Sequence, residues 1–260
     1  MAQALAACQA VVGPSRSVHQ LSCHFLKGGD VSSDICFETT RLSSGRAFEV
    51  IHARALQSDG PILSMTASFQ SPEAGFEHTF KPGLQPEWSR PDHLKSIHEH
   101  MAPVLERVPP KMRALFTPDT TPFDVRPNIF ISPYDCDQHA PSRAVWLRAR
   151  EPLSNDLRVH QRLLTYMSDW NLLGTSLLPH PTASWVPQMQ IASLSHSIHF
   201  HREFRIDDWL CHVMRSPSAS GGRGFALGEV WTEDGVLVAS TAQEGLIRFR
   251  GVGGSGAKGK

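Results

Sequence analysis

The stretch GRGFALGEVWTEDGVLVASTAQEGLIRF, residues 222–249, decides the fold, because the earlier stretch GRAFEVIHARALQSDGPILSMTASFQ, residues 45–70, resembles it. Each copy begins with a Gly-Arg-x-Phe motif and contains an Asp-Gly pair, a dipeptide typical of a tight turn between antiparallel strands. A further strand-like segment precedes each copy, so both predict a strand–strand–turn–strand meander. A repeat of this length favours two copies of one module over an array of short repeats.

A helical segment comes before each meander. Residues 1–13, MAQALAACQAVVG, are rich in alanine and end at a glycine, and residues 156–178 carry apolar side chains broadly at helical spacing. A helix followed by a long antiparallel sheet predicts an α+β module in which the sheet wraps the helix. Only the second helix has a strand before it, Arg143–Glu151, so the first module is expected to lack its opening strand.

Prolines mark the boundary between the modules, since twelve of the nineteen lie between Pro72 and Pro141. The sequence therefore predicts a first module at residues 1–72, a proline-rich linker at 73–142, a second module at 143–250 and a disordered tail at 251–260. One helix is predicted in the linker, over residues 89–108, with Ser89 as its cap.

Composition excludes several classes of function. Twenty-five basic and twenty-five acidic residues give no net field to attract nucleic acid, and the apolar runs fall far short of the roughly 20 residues that a membrane span needs. Five cysteines without a C-x-x-C pair predict reduced thiols in an intracellular protein, with Cys23 and Cys211 as small core residues. The H-x-H pair of His199 and His201 lacks a third ligand at a recognisable spacing, so no metal site is predicted.

Gln243 stands out in the last strand. Strand alternation puts it on one face with apolar neighbours such as Leu237, Ala239 and Ile247. An amide buried without partners costs roughly 1–3 kcal/mol, so Gln243 is expected to have hydrogen-bonding partners.

Two further polar residues are candidates for chemistry. In a continuous helix Asp169 would share an apolar face, which favours a general base; alternatively Ser168 and Asp169 would cap a shorter helix that begins at Trp170. Ser193 lies in the strand-like stretch MQIASLSHSIHFH, where alternation puts it on one face with Ser195 and His199. A serine in a strand is usually only a small residue that a neighbour satisfies.

The glycine-rich segment SASGGRG, residues 218–224, could bind phosphate, but it lies between two strands and lacks the helix that a phosphate-binding loop requires. A hairpin loop is the better interpretation. Its Arg223 and the nearby His196 remain candidates for contact with an anionic substrate.

Four motifs, YMSDWNLLGTSLLPH, SLSHSIHFHREFRIDDWL, SPSASGGRG and DGVLVASTAQEGLIR, together resemble the type II acyl-CoA thioesterase family, in its eukaryotic peroxisomal-type and bacterial members. HQLSCHFLKGGD and MTASFQSPEAGFEH agree with it in the first half. The resemblance implies a double hotdog fold, two antiparallel sheets that each wrap a central helix. It also implies hydrolysis of fatty acyl-CoA to free acid and CoA, by water that Asp169, Ser193 and Gln243 activate, with no metal or cofactor.

The first module is not expected to hold a second site. Aligned on the Asp-Gly turn, Ser68 falls opposite Gln243, and the first helix contains no acid. Two alternatives stay open: a hotdog hydratase or dehydratase that uses His196 or His199, and a shortened form that binds acyl-CoA without turnover. A homo-oligomer is predicted, because open sheets commonly pair. The location is expected to be cytosolic or peroxisomal, although the chain ends GSGAKGK without an S-K-L signal.

Overall fold

The computed structural model of the chain describes residues 1–79, 90–117 and 120–250. Its helices are α1 (Ala2–Val11), α2 (Ile97–Met101), α3 (Pro110–Arg113) and α4 (Leu157–Met167). Its strands are β1 (Ser17–Phe25), β2 (Cys36–Ser44), β3 (Phe48–Gln57), β4 (Gly60–Gln70), β5 (Phe123–Pro127), β6 (Ser142–Ala149), β7 (Met189–Phe200), β8 (Leu210–Ser220), β9 (Arg223–Thr232) and β10 (Leu237–Phe249).

All ten strands form one antiparallel sheet in the order β2-β3-β4-β1-β7-β10-β9-β8-β6-β5. The two predicted meanders are confirmed as β2–β3–β4 and β8–β9–β10. The sheets of the two modules are continuous, because β1 pairs with β7 and Leu21 lies opposite Ile198. Residues from the two halves of the chain therefore meet along this seam.

The long helices of the two modules lie against each other and against the sheet. Arg158 of α4 donates to the carbonyl oxygens of Gln9 (3.1 Å) and Arg16 (3.0 Å), and Gln161 Nε2 donates to the Val18 carbonyl at 2.9 Å. Apolar side chains from both modules, including Leu5 and Leu164 at 0% exposure, form one hydrophobic cluster. The modules thus share a core.

The cysteines agree with the prediction. All five are free thiols, and Cys23 and Cys211 have no exposed surface. Burial raises the pKa of Cys23 to about 11, which keeps the thiol protonated at neutral pH.

The single helix predicted for residues 89–108 is wrong. Ser89 lies outside the described residues, and the rest forms a 3₁₀ turn at Pro91–His93, α2, and a second 3₁₀ segment at Ala102–Arg107. The helix begins late because Ser96 is its cap: Ser96 and Glu99 form a reciprocal capping box, with Ser96 N donating to Glu99 Oε2 at 2.7 Å.

The predicted linker also contributes to the sheet. Strand β5 lies within it and pairs with β6, which in turn pairs with β8. In the second half, β6 and β5 therefore continue the sheet beyond β8. Its counterpart β2 in the first half is an edge of the sheet.

Candidate active site

Three side chains that are far apart in sequence converge on the inner face of the second module. Gln243 Nε2 donates a hydrogen bond to Ser193 Oγ at 2.8 Å and a short one to Asp169 Oδ1. Gln243 is 1% exposed, whereas Asp169 and Ser193 are partly exposed. The amide that looked costly on an apolar face therefore has partners for both of its N–H groups.

Asp169 lies in a turn, so both interpretations of its surroundings were wrong. Helix α4 ends at Met167, Ser168 is its C-cap, and the next helical segment is a 3₁₀ turn at Leu173–Leu177. The chain turns at Asn171, whose φ of 61° lies in the left-handed region that asparagine tolerates. A turn frees the carboxylate from the helix surface and points it at β10.

Two glycines set how closely this turn approaches the sheet. A Cβ on Gly224 of β9 would lie 2.6 Å from Ser176 Cβ, and one on Gly245 of β10 would lie 2.8 Å from the Ala192 carbonyl oxygen and the same distance from Leu173 Cδ1. Any larger residue there would lift the 3₁₀ segment off the sheet. Close approach at these glycines therefore holds the turn that carries Asp169 within reach of Gln243.

Ser193 reaches the site because of a β-bulge. Along β7, Ser195 pairs with Glu244 and Ser193 pairs with Gly245, which leaves Leu194 without a partner residue. The extra residue changes the alternation, so Ser193 faces inward together with His196. The prediction that Ser193 and Ser195 share one face is wrong for this reason.

This arrangement can activate water. Because both amide N–H groups of Gln243 are used, the Gln243 side chain has one fixed orientation, and its buried Oε1 has no partner among the described residues. Asp169 keeps a second carboxylate oxygen that can accept a proton, and Ser193 keeps its hydroxyl proton for donation. A carboxylate oxygen that can take a proton and a hydroxyl that can donate one thus flank the fixed amide, as hydrolysis by direct water attack requires.

His196 lies behind the amide, with 1% of its surface exposed. It sits opposite Gln243 across the β7–β10 pairing, and its Nε2 is 2.9 Å from Ser168 Oγ, which donates to the Thr165 carbonyl at 3.1 Å. Burial lowers the pKa of His196 to about 4, so the ring is neutral at physiological pH. The sequence indicates Ser168 only as a possible helix cap and gives no sign of its contact with His196.

Arg223 is the first residue of β9, directly after the hairpin turn at Gly221 and Gly222 that the glycine-rich segment was predicted to form. Its Nε donates to Glu244 Oε1 at 3.0 Å, and the guanidinium is about half exposed. It lines a surface pocket of about 420 Å³ together with Met189, Ile247 and Phe249. The pocket has apolar walls and one cation at its edge.

The place of Gln243 is filled differently in the first module. In the second module Gln243 pairs with Ala226. The Gly-Arg-x-Phe motif aligns Ala226 with Glu49 of the first module, and Glu49 pairs with Phe69. Phe69 therefore occupies the place that corresponds to Gln243. Phe69 is fully buried, whereas Ser68 points to the other face, where its Oγ is 2.8 Å from His19 Nε2. The alignment of Ser68 with Gln243 is therefore wrong by one residue, because the two hairpins turn differently: Gln57 pairs with Gly60 in the first, whereas pairing in the second stops at Trp231 and Leu237.

Metal ligands and membrane spans are not found in the described part of the chain. No three His, Cys, Asp or Glu side chains there are grouped closely enough to hold a metal ion. His201 Nε2 instead lies 2.8 Å from Ser240 Oγ. No helix there is long and apolar enough to cross a membrane.

Comparison with known families matches both modules. Residues 113–246 match the family described as acyl-CoA thioesterase, and residues 1–70 match the family described as acyl-CoA thioesterase N-terminal domain. Acyl-CoA thioesterase 2 of Haemophilus influenzae is 34% identical over 249 residues, which span 96% of this chain and 86% of the relative. Acyl-coenzyme A thioesterase 8 of Homo sapiens is 32% identical over 256 residues, 95% of this chain and 78% of the relative.

Solved structures agree. An acyl-CoA thioesterase II, TesB2, from Mycobacterium marinum has a TM-score of 0.76 and 33% identity, covering 95% of this chain and 87% of that one. A protein of unknown function with a hot dog fold from Alicyclobacillus acidocaldarius has a TM-score of 0.68 at 20% identity, covering 95% and 85%. The expected α+β double hotdog is thereby confirmed.

Proposed function

This chain belongs to the acyl-CoA thioesterase family and hydrolyses acyl-CoA thioesters, and we propose that Asp169, Ser193 and Gln243 activate the attacking water. The observation that carries the proposal is the pair of hydrogen bonds from one amide to a carboxylate and a hydroxyl, contributed by three separate elements. The fold itself does not require these polar groups, because in the first module the buried Phe69 occupies the place that corresponds to Gln243.

In the proposed reaction, a water bound to the second carboxylate oxygen of Asp169, which Gln243 holds in place, attacks the thioester carbonyl carbon while Asp169 takes its proton. The carbonyl oxygen becomes an oxyanion, towards which Ser193 can donate its hydroxyl proton. When the tetrahedral intermediate collapses, the carbon–sulfur bond breaks and the CoA thiolate accepts the proton from Asp169. The products are a free fatty acid and CoA.

Two further residues support this reaction in the proposal. His196 fixes Ser168, the residue before Asp169, and so helps to hold the catalytic turn rather than to contact substrate. Arg223 binds an anionic group of CoA at the rim of the apolar pocket that it lines with Met189 and Ile247. To do so, Arg223 breaks its ion pair with Glu244. A single active site per chain, in the second module, follows from the absence of an equivalent amide in the first.

Free thiol release from a series of acyl-CoA thioesters tests the activity and gives the chain-length preference. Crotonyl-CoA separates the alternatives, because a hydratase would lower the enoyl absorbance without releasing thiol. Binding of acyl-CoA with neither signal would support the non-catalytic form and contradict the proposal. The cytosolic or peroxisomal location and the homo-oligomeric state remain predictions.

A further inference from the structure

Two buried atoms beside the proposed water site have no hydrogen bond to the described residues. They are Nδ1 of His196 and Oε1 of Gln243. Both side chains are 1% exposed, and the two residues lie directly opposite each other on β7 and β10. The Cβ atoms of such a pair are about 5 Å apart, so the imidazole ring and the amide are neighbours on the inner face of the sheet.

The other residues of this row of the sheet do not satisfy the two atoms. On β9, Gln243 lies opposite Ala226, which has no polar side chain, and on β1, His196 lies opposite Cys23. Burial raises the pKa of Cys23 to about 11, so its thiol is protonated, yet within the described chain it makes no hydrogen bond to Nδ1. His196 and Gln243 are therefore left to pair with each other.

Such a pair requires a proton on Nδ1, because the amide oxygen can only accept. Burial lowers the pKa of His196 to about 4, and the Gln243 side chain, close enough to hydrogen-bond the ring, partly offsets this. The ring is thus neutral at pH 7 and carries one proton. With that proton on Nδ1, Nε2 accepts from the Ser168 hydroxyl 2.9 Å away, a shorter contact than the 3.1 Å from this hydroxyl to the Thr165 carbonyl.

We propose that His196 is the positioning residue of Gln243: its ring donates from Nδ1 to Gln243 Oε1 and accepts at Nε2 from Ser168. This bond fixes which end of the amide faces Asp169 and Ser193, because a flipped amide would lose it. The inference rests on the proposed function, in which Asp169 becomes protonated during the reaction. A protonated Asp169 can donate to the oxygen of a flipped amide, and the bond from His196 prevents that flip.

Two substitutions of His196 separate its two contacts. Asparagine places an N–H at the position of Nδ1 and keeps a donor for Gln243, whereas glutamine reaches the position of Nε2 and keeps only the contact with Ser168. We expect His196→Asn to retain kcat for acyl-CoA hydrolysis within about threefold and His196→Gln to lower it about tenfold, the scale of one hydrogen bond. KM should stay within about threefold in both, because the ring does not contact substrate.

His199→Gln, at an exposed position of the same strand, is the matched control and should have normal kcat. Equal kcat values for the two His196 variants, or a lower value for His196→Asn, would overturn the proposal. The second outcome would mean that the contact with Ser168 is the one that matters.

The ring tautomer of the unaltered protein is a test that needs no variant. In ¹⁵N NMR of the histidine-labelled chain at neutral pH, protonated and unprotonated ring nitrogens have well-separated chemical shifts. We expect the proton of His196 on Nδ1, and a proton on Nε2 would overturn the proposal even if the variants failed to fold. Since the tautomer is measured without turnover, an inactive protein would refute the proposed function while the NMR result still decided how the amide is held.

Discussion

Each half of the molecule has a carboxylate on the inner side of the sheet, Glu49 on β3 and Asp169 in the turn after α4, but the two have opposite surroundings. Glu49 is 3% exposed and forms ion pairs of 2.5 Å with both Arg16 and Arg41. Asp169 accepts a hydrogen bond from the neutral amide of Gln243 and forms no ion pair with a cation of the described residues, and the Met1 amino group interacts with it only at longer range. A carboxylate held by two guanidinium groups is a structural anion, whereas one oriented through a single oxygen by an amide keeps its second oxygen for contact with water.

The strands and side chains that surround Glu49 and Asp169 also differ between the two halves. In the first half, β2 is an edge strand and Phe69 fills the place that Gln243 has in the second. In the second half, β5 and β6 extend the sheet, and glycines let the 3₁₀ segment that follows Asp169 sit directly on it. Duplication of one module thus produced one half built for packing and one built around polar groups.

Asp169→Asn is the largest expected change. Losing the base should lower kcat for acyl-CoA hydrolysis by about 10²–10⁴, the usual contribution of general base catalysis. The amide is isosteric, so the free energy of unfolding should change by less than about 1 kcal/mol. Thiol release and urea unfolding measure both, and near-normal turnover would remove Asp169 from the mechanism.

The second half should respond to pH through its buried histidines. Burial lowers the pKa of His196 to about 4 and that of His212 to about 3, below the roughly 6.5 of an unfolded chain. The unfolded state therefore binds more protons between these values, and stability falls as the pH drops below about 6.5. We expect a loss of about 4 kcal/mol between pH 7 and pH 5, nearly 2 kcal/mol from each histidine.

Urea unfolding at the two pH values checks this expectation. Substituting His212→Gln should roughly halve the pH dependence, since one of the two groups no longer titrates. If the free energy of unfolding of that variant changed with pH as much as that of the wild type, His212 would not contribute to the pH dependence. Because its Nε2 lies 3.2 Å from Thr241 Oγ1, the glutamine retains a polar group near that hydroxyl.

Glu49→Gln is the counterpart of Asp169→Asn in the first half. Two arginines lose their shared anion, and the free energy of unfolding should fall by about 2 kcal/mol, less than for a fully buried pair because Arg41 is half exposed. Specific activity of the folded protein at 25 °C should stay within about twofold of the wild type, as expected for a site remote from the chemistry. A drop in activity comparable to that of Asp169→Asn would mean that both halves take part.

Ser193→Ala has the smallest expected effect on kcat, and it also tests whether the β-bulge places Ser193 on the inner face. Loss of one hydroxyl that accepts from Gln243 should lower kcat about tenfold, the scale of one hydrogen bond to a reacting group. Ser195→Ala, two residues along the strand but on the outer face, should have normal activity. If both variants lost activity equally, the inward position of Ser193 would not be the cause.

Much of the site was predictable, but not its geometry. The motifs around Asp169, Ser193 and Gln243 resemble a known family strongly enough to name all three residues. Strand alternation failed at Ser193 because one extra residue, Leu194, changes the face, and helical spacing failed at Asp169 because α4 ends at Met167. Bulges and helix ends depend on contacts with other elements, which local patterns do not contain.

The sequence by itself determined the duplicated meanders, the helix before each of them and the side chains available for catalysis, because strand alternation, Asp-Gly turns and helical spacing are local properties. The tertiary structure decided that β1 and β7 join two sheets into one, and that the 3₁₀ segment after Asp169 packs directly on Gly224 and Gly245. These features depend on distances between elements far apart in the chain, and only packing fixes such distances.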